Sequence, residues 1–205
     1  MLKFLLPALI LLFLFLSVTL CYRLNITWTL DNAVSNGIVK HRQIRYTRLM
    51  RLLSWVGGIQ GNLILGCFAL FMPFFRLHFL RPVLVITLIS ALLNLILKDI
   101  FDRDRPIHLF LIHENGFSYP SGHSMVNATL YSQITLLSFI YLNADIALKI
   151  MIVAILMILL IGFSRIYLGV HYLTDVIGGW ALGLSLSFFF TWVIQNPFLH
   201  ALLYF

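Results

Sequence analysis

Long stretches without a charged side chain dominate this sequence of 205 residues. Four of them contain 19 to 24 residues, and an apolar helix of about 20 residues can cross the hydrocarbon core of a bilayer. Two further apolar runs are shorter or contain one lysine. The sequence therefore predicts six transmembrane helices, at Phe4–Tyr22, Leu52–Phe75, Pro82–Leu97, Ser124–Ala144, Ile146–Phe163 and Val176–Leu199. A short turn, Arg76–Arg81, is expected between the second and the third.

The composition excludes an ordinary water-soluble domain, because only 10% of the residues are charged, against about 25% in soluble proteins. No linker-like stretch and no internal repeat divides the chain. We therefore expect an all-α, polytopic membrane helical bundle in which residues 1–205 form a single domain.

The net charge of +7 arises from 14 basic residues that are scattered between the apolar runs. This distribution favours a lipid bilayer with anionic headgroups or a phosphorylated substrate as partner, rather than nucleic acid. Cys21 and Cys67 both fall in apolar segments and show no metal-binding or redox spacing, so we interpret them as buried bystander thiols.

The segment between the first two spans is rich in turn-forming residues over 25–37 and in basic residues over 40–51. Arg45, Arg48 and Arg51 recur every three residues, which places them near one side of a helix. This pattern fits an interfacial helix whose cations meet lipid phosphates. A solvated basic loop that leads into the second span fits equally well.

Three polar segments interrupt the remaining chain, at Lys98–Pro106, Pro120–His123 and Ser164–Asp175. The first two lie between the third and fourth spans, and the last lies between the fifth and sixth. Because an even number of spans separates them, all three lie on the same side of the membrane. Charged groups beside membrane spans are costly unless they pair or carry a function, so a functional site is predicted there.

Lys98 and Arg105 are seven residues apart, so both cations could face one side over two turns of helix. A guanidinium matches phosphate oxygens as a planar fork, and an ammonium adds a point charge. Anchoring of the helix end at the interface is the alternative. Three nearby carboxylates are expected to offset these cations rather than to bind a metal: Asp99, Asp102 and Asp104.

The Pro-Ser-Gly-His segment precedes the fourth span. Gly122 would let a ligand approach the backbone, Ser121 supplies a hydroxyl, and the N–H groups of a starting helix favour an anion. His123 would then stand beside that anion, where a protonated imidazole can donate to a leaving group. Ordinary helix capping by Ser121 is the simpler alternative.

His171 and Asp175 lie four residues apart, on one face of the entry to the sixth span. A carboxylate bonded to one imidazole nitrogen fixes the tautomer and leaves the other nitrogen as a base or nucleophile. Arg165 adds a third cation. Taken in isolation, the His–Asp pair could also be a polar pair that only caps a transmembrane helix.

In order, the three segments read Lys-x6-Arg-Pro, Pro-Ser-Gly-His and Ser-Arg-x5-His-x3-Asp. This pattern resembles the three-part signature of the type 2 phosphatidic acid phosphatase (PAP2) superfamily, which includes membrane lipid phosphatases and soluble vanadium haloperoxidases. The stretch Glu114–Met125 also resembles small bacterial members that act on phosphatidylglycerophosphate or undecaprenyl diphosphate.

The resemblance implies that His171 attacks phosphorus and forms a phosphohistidine, that Asp175 orients it, and that His123 protonates the leaving group and then activates water. The other signature residues would bind the phosphate: Lys98, Arg105, Ser121, Gly122 and Arg165. Neither a metal nor a cofactor is implied. His108 and His113 would shape the mouth of the site or simply be solvated.

The implied function is that of a multi-pass lipid phosphatase in a bacterial cell membrane, with undecaprenyl diphosphate, phosphatidylglycerophosphate or phosphatidate as substrate. Phosphoryl transfer between lipids, as in lipid A modification, and non-catalytic phospholipid binding are the alternatives. The resemblance places the site on the extracytoplasmic face. The positive-inside rule opposes this orientation, because only Lys3, Arg76, Arg81 and Lys149 of the 14 basic residues would then lie inside.

Overall fold

The computed structural model describes residues 2–106 and 110–196, and within these ranges it contains nine α-helices and no strand. The helices are α1 (Leu2–Arg23), α2 (Trp28–Lys40), α3 (Ile44–Val56), α4 (Ile59–Leu70), α5 (Pro73–Phe75), α6 (Arg81–Phe101), α7 (Gly122–Tyr141), α8 (Ala144–Tyr167) and α9 (Leu173–Gln195). The single turn α5 continues into α6 through a π-helical segment, Arg76–Leu80.

Several of these helices are suited to cross a membrane. In the described ranges, four are long and apolar enough, namely α1, the continuous stretch Pro73–Phe101, α8 and α9. The pair α3 and α4 adds a fifth if the two are one span, bent by 56°. α7 has 20 residues, but polar side chains make it less apolar than the others. The all-helical membrane fold is thus confirmed, whereas the count of six spans stays a prediction.

The second predicted span, Leu52–Phe75, is not one straight helix. It breaks at Gly57 and Gly58, where α3 ends and α4 begins. A Cβ atom on Gly57 would lie 2.5 Å from Cγ2 of Ile161, and the Gly57 carbonyl accepts a hydrogen bond of 2.7 Å from Nδ2 of Asn127. The glycine at the bend therefore permits close packing against α7 and α8. Its carbonyl bonds to a side chain of α7 rather than to the backbone of a regular helix.

Two expected turns are helical instead. Residues 76–81, between the second and third predicted spans, lie within the continuous helical stretch Pro73–Phe101, where a π-helical segment absorbs the irregularity. The turn-forming residues over 25–37 mostly belong to α2, and Asp31 of this helix is fully buried. Tertiary contacts outweigh the local preference of such residues for turns. The basic stretch that follows is also helical, because α3 begins at Ile44.

The centre of the bundle is α7, which packs against α6, α8 and α9. Gly183 of α9 lies directly against the backbone carbonyl of Met125, and a Cβ atom there would collide with it. The Thr129 hydroxyl joins the same two helices by donating a 3.1 Å hydrogen bond to the Gly183 carbonyl. Small residues and interhelical hydrogen bonds are the usual means by which membrane helices associate. This contact holds the first turns of α7 against the middle of α9.

The outer surface of the bundle carries large apolar side chains. Phe13 of α1, Leu63 of α4 and Leu95 of α6 are 71%, 62% and 61% exposed, respectively. An apolar surface of this extent would be unfavourable in water. It is the surface expected of helices that face lipid. Cys67 of α4 is exposed and Cys21 of α1 is partly exposed, so the expectation that both thiols are buried is wrong.

Candidate active site

The three polar segments meet at one end of the bundle. The Arg105 guanidinium donates to the Val170 carbonyl at 2.9 Å, which joins the first segment to the third. The Ser121 N–H donates to the Asp175 carbonyl at 3.0 Å, which joins the second to the third. The structure therefore assembles residues that are far apart in the sequence into one site.

His171 and Asp175 form a buried pair. Nδ1 of His171 lies 3.4 Å from Oδ2 of Asp175, and the side chains are 2% and 0% exposed. The same carboxylate oxygen accepts a 2.8 Å hydrogen bond from the Tyr172 N–H. With the carboxylate accepting from Nδ1, the lone pair of the neutral ring is on Nε2. That nitrogen lies 3.4 Å from Nη1 of Arg105.

The surroundings of His171 keep its ring neutral. Burial lowers the pKa of this imidazole well below its ordinary value, and the positive charges of Arg165, Arg105 and Lys98 lower the pKa further. Both effects act against the charged form. A neutral imidazole among three cations is suited to react with an anion rather than to bind a proton.

Arg165, in the last turn of α8, is fully buried. One of its terminal nitrogens donates to the Ser54 hydroxyl, and the other pairs with the Glu114 carboxylate at 2.5 Å. Its Nε is buried and has no partner in the described parts of the chain. A buried donor without an acceptor is costly, and an anion bound beside His171 would supply one.

Glu114, which sequence reasoning did not assign to the site, is the counterion of Arg165. Burial alone would raise the pKa of this carboxyl group, but the charge of Arg165 and its hydrogen bond outweigh burial, so the pKa is lowered. The carboxylate therefore stays ionised and holds the guanidinium in place. Glu114 and Arg165 are 51 residues apart along the chain, so no local sequence pattern predicts their contact.

Arg105 holds part of the loop that joins α6 to α7. Its Nε donates to the Gly116 carbonyl at 2.8 Å, and Nη2 donates to the Asn115 carbonyl at 3.0 Å. Gly116 has a φ of 72°, a backbone conformation that glycine adopts without strain. The guanidinium is thereby fixed beside His171 by groups on both sides.

Lys98 lies in the last turn of α6. The predicted two-turn helix from Lys98 to Arg105 is wrong, because the helix ends where Asp102 adopts a left-handed conformation with a φ of 52°. The chain then turns back, and this turn brings Arg105 to the site. In the described ranges the Lys98 ammonium has no hydrogen-bond partner, so it is available to a ligand.

The expected role of the neighbouring carboxylates differs from what the structure shows. All three are exposed, and within the described residues none forms an ion pair with the site cations: Asp99, Asp102 and Asp104. A distant carboxylate, Glu114, pairs with Arg165 instead, whereas Asp31 and Asp175 pair with Arg103.

Ser121 caps the start of α7. Its Oγ accepts hydrogen bonds from the N–H and from the hydroxyl of Ser124, at 3.4 Å and 3.0 Å. At Gly122 a Cβ atom would lie 2.8 Å from Oδ1 of Asn94, so a larger residue would have to displace the Asn94 side chain. His123 is partly exposed and follows at the helix N-terminus, where N–H groups attract anions. The capping role of Ser121 is present, and its contact with phosphate stays a prediction.

Arg103 is the largest omission from the sequence analysis. It is 6% exposed and pairs with Asp31 at 2.7 Å and with Asp175 at 2.5 Å. Each partner is 72 residues away along the chain, so no spacing rule connects them. Arg103 lies two positions before Arg105. Only the folded structure shows that Arg103 pairs with carboxylates whereas Arg105 faces His171.

Two further expectations concern histidines and metals. His113 is exposed, and its ring packs edge-on against Phe110 at 6.1 Å between centroids, while His108 lies outside the described residues. No three His, Cys, Asp or Glu side chains in the described ranges group as metal ligands. The absence of a metal from the reaction stays a prediction.

Comparison with known proteins identifies the family to which the chain belongs. The PAP2 superfamily profile matches residues 79–198. Phosphatidylglycerophosphatase B of Bacillus subtilis (strain 168) is 34% identical over 178 residues, which cover 85% of this chain and 88% of that protein. An undecaprenyl-diphosphatase of Sulfolobus acidocaldarius is 34% identical over 88 residues, or 43% of this chain and 39% of that protein.

A solved structure shares the whole fold. The crystal structure of a transmembrane PAP2-type phosphatidylglycerolphosphate phosphatase from Bacillus subtilis superposes with a TM-score of 0.86 at 32% identity, and the match covers 93% of this chain and 97% of that one. Fold and site thus define a multi-pass membrane protein of the phosphatase class. The chain belongs to the PAP2 superfamily.

Proposed function

We propose that this protein is a membrane lipid phosphatase that removes the terminal phosphate of a lipid mono- or diphosphate through a phosphohistidine. One observation carries the proposal. Nε2 of a neutral, buried His171 faces Arg105, and Arg165 beside them has a buried donor without a partner. A phosphoryl group in this position would meet a nucleophile and an unpaired donor together.

In the first step, Nε2 of His171 attacks phosphorus, and the bond from phosphorus to the lipid oxygen breaks. Asp175 stabilises the ring as it gains positive charge, because it accepts a hydrogen bond from Nδ1. Lys98, Arg105 and Arg165 neutralise the phosphoryl oxygens. Donors that already point at the site before charge develops are the most effective catalysts of such a step.

His123 acts as the general acid in the first step and as the general base in the second. When phosphate binds beside it, the negative charge favours the protonated ring, which gives its proton to the departing lipid oxygen. The neutral ring then takes a proton from water as that water attacks phosphorus. The bond between His171 and phosphorus breaks, and orthophosphate leaves. Since three cations already neutralise the phosphate, no metal is assigned, and activity in EDTA tests this point.

The substrate proposal draws on the relatives, whose names specify phosphatidylglycerophosphate and undecaprenyl diphosphate. We assign this chain to the same substrate class, with phosphatidate as a third member. All three present a terminal phosphate at the membrane surface and an apolar tail in the bilayer. A panel assay of orthophosphate release from these three lipids would identify the preferred one.

The location follows as a further part of the proposal: a bacterial cell membrane with the site on the extracytoplasmic face. Replacement of Cys21 and Cys67 by serine, followed by Asn115→Cys in the exposed loop, provides a label site. An impermeant maleimide should react with this cysteine in intact cells. Reaction only after permeabilisation would place the site on the cytoplasmic face.

The test of function uses the purified full chain in lipid vesicles. His171→Ala should abolish orthophosphate release, whereas His41→Ala, at an exposed position on the end of α2, should leave it within twofold of the wild type. Transfer of label to a second lipid without free orthophosphate would identify a phosphotransferase. Equal activity of His171→Ala and wild type would refute the catalytic proposal.

A further inference from the structure

A buried network of four side chains extends from α2 to the start of α9. Asp31, Arg103, Thr174 and Asp175 are 0%, 6%, 4% and 0% exposed. Oδ2 of Asp31 accepts from Nη2 of Arg103 at 2.7 Å and from the Thr174 hydroxyl at 2.6 Å. Oδ1 of Asp31 accepts from the Thr174 N–H at 3.0 Å. Asp31 thus uses both of its carboxylate oxygens within the network.

Arg103 connects this carboxylate to the His–Asp pair. Its Nη1 donates to Oδ1 of Asp175 at 2.5 Å and to the Thr174 hydroxyl at 2.7 Å. The guanidinium also lies between two aromatic rings, 4.4 Å from the Tyr22 centroid and 4.3 Å from that of Tyr172. Packing on both faces leaves Arg103 little freedom to rotate. The direction of its hydrogen bond to Asp175 is therefore fixed.

The two oxygens of Asp175 have different partners. Oδ1 accepts from Arg103, whereas Oδ2 faces Nδ1 of His171 and the Tyr172 N–H. A carboxylate held at both oxygens cannot turn about its Cβ–Cγ bond. The position of Nδ1, and with it the direction of Nε2, depends on that constraint.

The charges of the network determine how strongly it attracts the ring of His171. Arg103 alone would neutralise Asp175, and a neutral pair would attract the ring of His171 only weakly. Asp31 adds a second negative charge, so that two carboxylates share one guanidinium. The net negative charge faces a ring that becomes positive when Nε2 binds phosphorus, and burial makes this attraction stronger than it would be in water.

We propose that Asp31 and Arg103 are positioning residues for the phosphorylation of His171, which they orient and stabilise through Asp175. The inference rests on the proposed role of His171 as nucleophile. The competing explanation is that the network only ties α2 to α9. That explanation predicts a change in stability but no selective change in the chemical step.

The test compares three variants with the wild type. Asp31→Asn removes one charge and keeps the shape, Thr174→Val removes the bridging hydroxyl, and Thr174→Ser retains it. Ser187→Ala serves as the control, because Ser187 also lies in α9 and its replacement removes a buried hydrogen bond to Gln133 of α7. All proteins are full-length and reconstituted, and orthophosphate release is measured with the lipid that the wild type hydrolyses fastest.

Positioning predicts that kcat falls about 10-fold in Asp31→Asn, a loss of the size found when a group that orients a metal-bound histidine is removed, while KM changes less than twofold. Thr174→Val should lose activity in the same way, and Thr174→Ser should recover it. Ser187→Ala should lower the melting temperature without lowering kcat. An unchanged kcat in folded Asp31→Asn and Thr174→Val would overturn the proposal.

A second readout does not depend on turnover. In protein labelled with ¹⁵N-histidine, the Nδ1–H proton of His171 should give a downfield NMR signal that weakens or shifts in Asp31→Asn but not in Ser187→Ala. An identical signal in Asp31→Asn contradicts positioning even if no lipid is hydrolysed. Failure of the proposed function itself would show separately, as equal activity of wild type and His171→Ala.

Discussion

Asp175 meets His171 through one carboxylate oxygen, 3.4 Å from Nδ1, in a site from which solvent is almost excluded. The pair lies at the beginning of α9, where the Tyr172 N–H also donates to the same carboxylate. One carboxylate oxygen therefore caps the helix and also faces the imidazole. The structure shows the capping that the sequence left open as an alternative, and the role of Asp175 in orienting a nucleophilic His171 stays a prediction.

Arg105 should not be replaceable by lysine. Its guanidinium bonds carbonyls on two sides of the site and faces Nε2 of His171, and a lysine cannot donate in these directions together. We expect Arg105→Lys to lower kcat/KM for orthophosphate release about 100-fold, the effect typical of losing one transition-state donor. Arg48→Lys, on an exposed face of α3, is the control. Activity of Arg105→Lys within twofold of the wild type would contradict this role.

Removal of the Glu114 charge should alter the dependence of stability on pH. The pKa of this carboxyl group is lowered in the folded protein, so its stabilising effect is fully present above the unfolded value of about 4.3 and decreases as pH falls toward the folded pKa. The melting temperature of wild type should exceed that of Glu114→Gln at pH 7, and the difference should shrink below pH 5. A difference that grows as pH falls would show the opposite sign.

His171 should remain neutral in mildly acidic solution. Burial and the neighbouring cations hold its pKa well below 6.5. A ¹³C NMR titration of the histidine rings, with the His171 signal assigned by its loss in His171→Asn, should show no protonation of this ring between pH 7.5 and 6. A titration midpoint at or above 6.5 would mean that the ring is exposed or paired differently.

Contact between α7 and α9 should depend on Gly183. A methyl group there would collide with the Met125 carbonyl, whereas a Cβ atom on Gly66 of α4 meets nothing within 4 Å. Gly183→Ala should destabilise the protein by about 1–3 kcal/mol, the usual cost of overpacking, and Gly66→Ala should not. Thermal unfolding in one detergent measures both variants. Equal melting temperatures would show that the two helices can separate without cost.

Local patterns were sufficient for the main features of the fold. Apolar runs without charge predict α1, α8 and α9, and the Ser-Gly pair at 121 and 122 predicts the start of α7. These features depend on residues that are close in the sequence. Helix breaks were not predicted, because the bend at Gly57 depends on packing against Ile161 and Asn127. Asn127 lies 70 residues further along the chain.

The residues of the site fall into the same two groups: those that local spacing predicts and those that depend on distant contacts. The eight signature residues could be named because their spacing carries the pattern, and the structure brings them to one end of the bundle. Asp31, Arg103 and Glu114 were missed because each acts through a partner in a distant segment. An isolated aspartate in a polar stretch such as 25–37 has no local mark that distinguishes a buried counterion from a turn former.

The most direct test of the central claim is to trap the phosphorylated enzyme. Wild-type protein in vesicles is mixed with lipid labelled in its terminal phosphate, quenched with alkali within milliseconds, and digested for mass spectrometry. A phosphohistidine, stable to alkali and labile to acid, should be found at His171 and should form at least as fast as orthophosphate appears. Rapid turnover with no label on His171, or with the label on another residue, would contradict the account.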